Sequence, residues 1–220
     1  LIGYNPSFMA DEFARFCADI FVPPGYHTML SNCVCPTPVL AYAATVAKNS
    51  AGAVMFTASH NPKNYLGMKF IPNYGGPATK QITDIIVKNI EEGYTAPFCG
   101  GGKIINSDFR EVYFSHLESL IDFNAIKKAN IKFIYDGLFS ASIGTFDEIL
   151  NRHGINYEIV NNHYDPNFGG FLPEPKEKFM HHKKNGFLTF ANDGDADRYG
   201  VIDENGQWVS PNEILAILLK

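Results

Sequence analysis

A basic surplus is missing from this sequence: 18 lysines and arginines stand against 23 acidic residues in 220, a formal charge of −5. Nucleic-acid binders draw most of their affinity from neutralising phosphates, so general DNA or RNA binding is excluded as a function class. Long apolar runs are missing too. Nothing approaches the roughly 20 residues of a membrane-spanning helix, so no membrane partner is expected. Cysteine is scarce and unpatterned: Cys17, Cys33, Cys35 and Cys99 contain one close pair and no second pair that would complete a C-x2-C zinc site. Four unpaired thiols point to a reducing, cytoplasmic compartment. An initiating methionine and a leader are also absent; the chain opens in Leu1-Ile2-Gly3-Tyr4 and closes inside Ile214–Leu219, which reads as part of a longer protein.

What is present is ordinary globular material. Apolar residues make up 45% and charged residues 19%, which excludes a disordered or fibrous chain. At roughly 150 residues per domain the length corresponds to about one and a half domains, enough to bury a substantial core.

Helix and strand patterns alternate along the chain. Residues 9–22 carry Phe13, Phe16, Cys17 and Ile20 at helical spacing, with acidic Asp11 and Glu12 in the first turn. A strand is expected over 27–31. Pro36-Thr37-Pro38 then launches a helix through Lys48, with Thr37 as its cap. Residues 51–57 read as a strand buried on both faces, and 66–72 as another. A helix over 79–93 turns Ile82, Ile85, Ile86 and Ile90 inward, and the glycine-containing stretch 97–103 reads as a linker. The second half expects helices at 107–122, 123–129, 142–153 and 176–183, and strands at 131–135, 156–160, 187–191 and 199–202. The fold class is therefore α/β: two tandem α/β/α units, each a mixed β-sheet packed between helices. Their expected bounds are 1–104 and 105–207, with 208–220 opening a third unit.

Two motifs carry chemistry. Thr57-Ala58-Ser59-His60-Asn61-Pro62 leaves a buried strand and enters a loop, the position where open α/β sheets present reactive groups. Pro62 biases Asn61 away from helix, holding the Ser–His pair in a turn. A serine so placed can act as nucleophile or phosphoryl carrier, with His60 and Lys69 available for proton transfer. The second motif, Asn192-Asp193-Gly194-Asp195-Ala196-Asp197-Arg198, also follows an apolar strand. Read as extended chain, it points three carboxylates one way at roughly 6–7 Å spacing, and each adjacent pair repels by roughly 2–3 kcal/mol. A hard divalent cation, Mg²⁺ or Ca²⁺, relieves that repulsion. An EF-hand is excluded, because Arg198 occupies the sixth place, where the loop requires glycine. Asp136–Ser142 reads as a helix start with bare amides, His181-His182 as a solvated helix end, and Trp208 as packing.

Thr57–Pro62, Gly67-Met68-Lys69 and Asp193–Arg198 together resemble the phosphoglucomutase/phosphomannomutase (α-D-phosphohexomutase) family. Weaker matches are Gly3-Tyr4-Asn5, Tyr74–Ala78 and Asp165–Pro175. The resemblance implies four domains, of which this chain supplies most of the first, all of the second and the edge of the third. It implies a phosphohexose mutase, an isomerase interconverting hexose 1-phosphate and 6-phosphate through a hexose 1,6-bisphosphate. Ser59 is then the phosphoserine, Lys69 the general acid/base, and His60 and Arg198 support the loop and the phosphate. Asp193, Asp195, Asp197 and an oxygen on phospho-Ser59 hold one Mg²⁺. The partner is a phosphosugar, and the oligomeric expectation is a monomer. Thr57 and Ala196 lean toward glucose or mannose over glucosamine. The alternative is a non-catalytic, metal-binding two-domain fragment. A serine-phosphate hydrolase is disfavoured because no water-activating base is evident.

Overall fold

A computed structural model describes residues 1–219 and arranges them around two five-stranded mixed sheets. The first contains β1 (Ile2–Tyr4), β2 (His27–Ser31), β3 (Gly52–Thr57), β4 (Gly67–Pro72) and β5 (Lys103–Ser107), in the order β4-β3-β1-β2-β5. Only β4 runs antiparallel to its neighbour. The sequence pattern predicts neither β1 nor β5. β5 pairs with β2 from His27↔Lys103 to Ser31↔Ser107, so the first sheet runs to Ser107, past the expected bound at 104. The short alternation of β5 is a weak signal alone; pairing along the edge of β2 decides it.

Helices α1 (Ala10–Phe21) and α2 (Thr37–Val46) cover opposite faces of this sheet. In α1 the helically spaced large residues are not the buried face. Ala10, Ala14 and Ala18 are fully buried on Ile2, Leu30 and Phe56, while Phe13, Phe16 and Ile20 are exposed and Cys17 is half-buried. Alanines one turn apart let the helix backbone approach the sheet closely, and a large side chain on that stripe would hold it off. The inward expectation fails for α3 (Lys80–Glu91), which has no buried residue; Ile85 and Ile90 are exposed.

The second sheet contains β6 (Phe133–Asp136), β7 (Glu158–Val160), β8 (Leu188–Asn192), β9 (Tyr199–Ile202) and β10 (Trp208–Val209), ordered β10-β9-β8-β6-β7. β10 pairs with β9, so this sheet reaches Val209 and overlaps the segment expected to open a third unit. Helices α4 (Arg110–Leu120), α5 (Phe123–Ala129) and α6 (Phe146–Arg152) enclose a core in which Phe114, Phe123 and Phe133 pack with Ile149 and Leu150. α6 starts later than expected because residues 138–145 form consecutive turns, with Leu138 and Phe139 at positive φ. The helix expected over 176–183 is absent. That segment has no i, i+4 apolar stripe to bury; instead Met180 alone plugs into Leu138, Ala191 and Ile202, and a short helix without a packed face does not form. α7 (Pro211–Leu218) follows β10 behind a capping box made by Ser210 and Glu213.

The units meet through α2 and α4. Tyr42 stacks on His116 at 4.2 Å between ring centroids and meets Tyr113 edge-on. Phe109, just before α4, is buried with Val39 and Leu40 of α2. This aromatic seam joins α2 of the first unit to α4 of the second.

Candidate active site and cation centre

Ser59 sits in the hairpin connection between β3 and β4, whose last pair is Thr57↔Gly67. The Thr57 side chain, itself buried, accepts the Ser59 backbone N–H at 2.7 Å, and Asn61 N–H closes a turn on Ala58 O. These bonds hold Ser59 at φ 55, a left-handed conformation that non-glycine residues adopt only when the surroundings enforce it. Ser59 is 9% exposed, and its hydroxyl lies 3.4 Å from His60 Nδ1. Lys69 stands on β4 opposite Met55.

The acidic motif is a tight turn between β8 and β9, not extended chain. Asn192 pairs with Tyr199, Ala196 N–H donates to Asp193 O, and Ala196 adopts φ 61. The turn gathers one carboxylate oxygen from each of Asp193, Asp195 and Asp197 within 4.8 Å of one another, closer than the extended reading allowed. At that spacing each ionised pair repels by about 3 kcal/mol at an effective dielectric of about 20. Burial pushes the Asp193 carboxyl up to about 8, and the charges of Asp195 and Asp197 push in the same direction. Asp193 and Asp195 are fully buried; Asp197 is exposed.

The first unit grips this turn at several points. Asn5, after β1, donates from Nδ2 to Gly194 O at 3.3 Å. Thr37 donates its backbone N–H to Asp195 O at 2.9 Å and its hydroxyl to Asp195 Oδ2 at 2.7 Å. Thr37 is thus not the cap expected of it: Pro36 occupies that place, and the hydroxyl serves the other unit. Lys69 Nζ reaches Asp195 Oδ2 at 2.7 Å and Asp197 Oδ2 at 3.1 Å. Burial works against its charge, but those two carboxylates outweigh it and hold Lys69 above the ordinary lysine range. A Cβ on Gly194 would lie 2.5 Å from Ser59 O, so the serine loop and the acidic turn are in backbone contact.

The carboxylates have the form of a cation cage. Asp193 Oδ1 accepts the Arg198 N–H at 2.9 Å, and Asp195 Oδ2 is held by Thr37 and Lys69, while Asp193 Oδ2 and Asp195 Oδ1 are buried without a hydrogen-bond partner. Orphaned buried carboxylate oxygens are costly. Hard oxygens gathered at this spacing suit Mg²⁺. The Arg198 side chain lies 4.0 Å from Asp193 Oδ2 and 3.9 Å from Asp197 Oδ1, a loose electrostatic brace.

The structure therefore brings Ser59, His60, Lys69, Arg198 and the three aspartates to one seam. Asn5 enters the sequence reading only within a weak family match and Thr37 only as a helix cap, and neither is expected at the site; each reaches it from a loop that follows a first-unit strand. The stretch after Asp136 starts no helix, yet its Ala141 N–H also donates to Gly194 O at 3.1 Å. Trp208 is half-buried packing, as expected.

The sequence pattern described as "Phosphoglucomutase/phosphomannomutase, alpha/beta/alpha domain I" matches residues 1–96, and that of domain II matches residues 111–206. The chain belongs to the phosphoglucomutase/phosphomannomutase family. Within the family it is 32% identical to a phosphoglucomutase/phosphomannomutase of Thermococcus kodakarensis over 84% of this chain and 42% of that protein. It is 31% identical to a phosphoglucosamine mutase of Methanococcus vannielii over 85% of this chain and 43% of that one. The fold superposes with a TM-score of 0.88 and 30% identity on a Thermus thermophilus protein with a provisional phosphomannomutase assignment, covering 99% of this chain and 51% of that one. The chain thus spans about half the length of these family members. No helix among its described residues is long and apolar enough to cross a membrane.

Proposed function

We propose that this chain carries the phosphoryl-transfer half of a phosphohexose mutase, interconverting the 1- and 6-phosphates of glucose, mannose or both. The observation that carries this reading is the pair of orphaned buried oxygens on Asp193 and Asp195, in a turn that backs onto Ser59 and is bridged by Lys69. Ser59, as a phosphoserine, gives its phosphoryl group to a hydroxyl of the bound sugar phosphate: the Ser59 O–P bond breaks and a sugar O–P bond forms, giving a hexose 1,6-bisphosphate. The bisphosphate turns over and returns its other phosphate to Ser59. Lys69 exchanges the proton at the sugar hydroxyl. Its ammonium form is held by the same carboxylates that hold the cation, so its basicity rises and falls with the charge on Asp195 and Asp197. His60 orients the serine loop through its contact with Ser59, and Arg198 braces Asp193 and Asp197.

Asp193, Asp195 and Asp197, with an oxygen on phospho-Ser59, would hold one Mg²⁺, whose chemistry is to neutralise charge building on the transferring oxygens. The substrate is a small phosphosugar, and the free thiols fit a cytoplasmic setting. Incubation with glucose 1,6-bisphosphate and Mg²⁺ should place one phosphate on Ser59 by intact mass and peptide mapping, and Ser59→Ala should abolish it by more than about a thousandfold. Stable phosphate on another residue overturns the reading. The second reading, a cation-binding fragment without turnover, is favoured by the half-length span of the family members; phosphate uptake without sugar isomerisation is its signature.

A further inference from the structure

Two donors from the first unit converge on one oxygen of Asp195. Thr37 Oγ1 and Lys69 Nζ both lie 2.7 Å from Oδ2, while Oδ1 of the same carboxylate is buried and bare. The two are not equivalent. Lys69 stands on strand β4, has a side chain 38% exposed, and divides its ammonium between Asp195 and Asp197. Thr37 is fixed at both ends: its backbone N–H holds Asp195 O and its hydroxyl holds Oδ2. Its β-branched side chain has few rotamers, and Pro36 and Pro38 on either side restrict the backbone that carries it.

A carboxylate tethered by one oxygen can turn only about that tether, so Thr37 fixes where Oδ1 points. Asp193 shows the same division within its own turn, Oδ1 taken by the Arg198 N–H and Oδ2 without a hydrogen-bond partner. Asp195 has no equivalent donor from the acidic turn and takes one from the other unit instead. A neutral hydroxyl is suited to this, because it orients the carboxylate without cancelling the charge a cation needs.

On the reading of the acidic turn as a Mg²⁺ site, we infer that Thr37 is a positioning residue for that ion: its hydroxyl aims Asp195 Oδ1, so the first unit sets the affinity of a site whose carboxylates all lie in the second. The test is Mg²⁺ titration of the unaltered chain and of Thr37→Val, Thr37→Ser and Asp195→Asn by calorimetry, with thermal midpoints in chelator. Thr37→Val keeps the shape and the backbone N–H and removes only the hydroxyl; Thr37→Ser restores the hydroxyl and serves as the rescue. Thr37→Val is expected to weaken Mg²⁺ binding about 10-fold or more, with Thr37→Ser within about twofold of the unaltered chain. If Thr37→Val loses thermal stability in chelator but binds Mg²⁺ as the unaltered chain does, the hydroxyl is merely structural and the inference falls. If Thr37→Ser is as weak as Thr37→Val, the methyl and not the hydroxyl matters, and it falls again. Failure of the underlying reading looks different: the unaltered chain does not bind Mg²⁺, or Asp195→Asn leaves its binding unchanged.

Discussion

Both units set a central parallel strand, β1 or β6, between two parallel neighbours and then turn back through an antiparallel hairpin, β3–β4 or β8–β9. The chemistry sits in the equivalent hairpin turn of each. In the first unit that turn carries a hydroxyl, and the strand leaving it an ammonium; in the second it carries three carboxylates. One topology thus presents complementary charges from two copies of the same position, and neither half is balanced without the other. The cores differ as well. The second unit closes on stacked aromatics, whereas the first lays an alanine stripe on its sheet and leaves large apolar residues outside. Site placement follows from topology, while helix facing follows from the packing distance each sheet permits.

The largest expected break in that complementarity is Asp195→Asn, which removes charge from the carboxylate that both Thr37 and Lys69 hold. Mg²⁺ affinity should fall beyond the roughly 10–100-fold typical of losing an outer hydrogen bond, and phosphate uptake by Ser59 should fall with it; calorimetry and mass spectrometry read the two.

A pH series separates the units by their charge. Without divalent cation, the Asp193 proton is retained to about 8 in the folded chain, above its ordinary value. The stabilisation this gives is full below about pH 4 and is lost as pH rises through about 8. Thermal midpoints in chelator should therefore decline from about pH 5 to about pH 8.5. Mg²⁺ should raise the midpoint more at the upper end, where Asp193 binds it without first releasing a proton. A midpoint that climbs with pH in chelator counts against a buried, uncompensated carboxylate.

Contact between the turns is tested by Gly194→Ala. The added carbon meets Ser59 O at 2.5 Å and Pro173 at 3.2 Å, and backbone does not yield as a flexible side-chain end would. A loss of about 1–3 kcal/mol in denaturant unfolding is expected, together with weaker phosphate uptake. The smallest effects sharpen the helix comparison. On α1, Ala14→Leu should cost about 1–3 kcal/mol by overpacking, and Phe16→Ser less than about 0.5 kcal/mol because it is exposed. Equal costs would show that the apolar stripe faces inward after all.

Much of this was legible along the chain. The strands at 27–31 and 199–202 match the structure to the residue, and both chemical motifs follow β-strands as expected. The periodicity of Phe13, Phe16 and Ile20 is real, but periodicity defines a stripe without saying which stripe a sheet selects. Thr37 reads as a helix cap because its partner lies 158 positions away. The acidic motif reads as extended because a left-handed Ala196 leaves no mark in residue type.

Residue type and short spacing are enough to specify the α/β alternation, the chemical identity of the serine loop and the concentration of negative charge between Asn192 and Arg198. The chain carries these locally, before any distant contact forms. Folding in three dimensions settles the rest: which oxygens of Asp193 and Asp195 stay bare, which unit holds Asp195 in place, and that β5 completes the first sheet. The Asp195 contacts and the β5 pairing depend on hydrogen-bond partners far away in sequence, and the Asp193 contact on a turn that residue type does not announce, so local propensity reaches none of them.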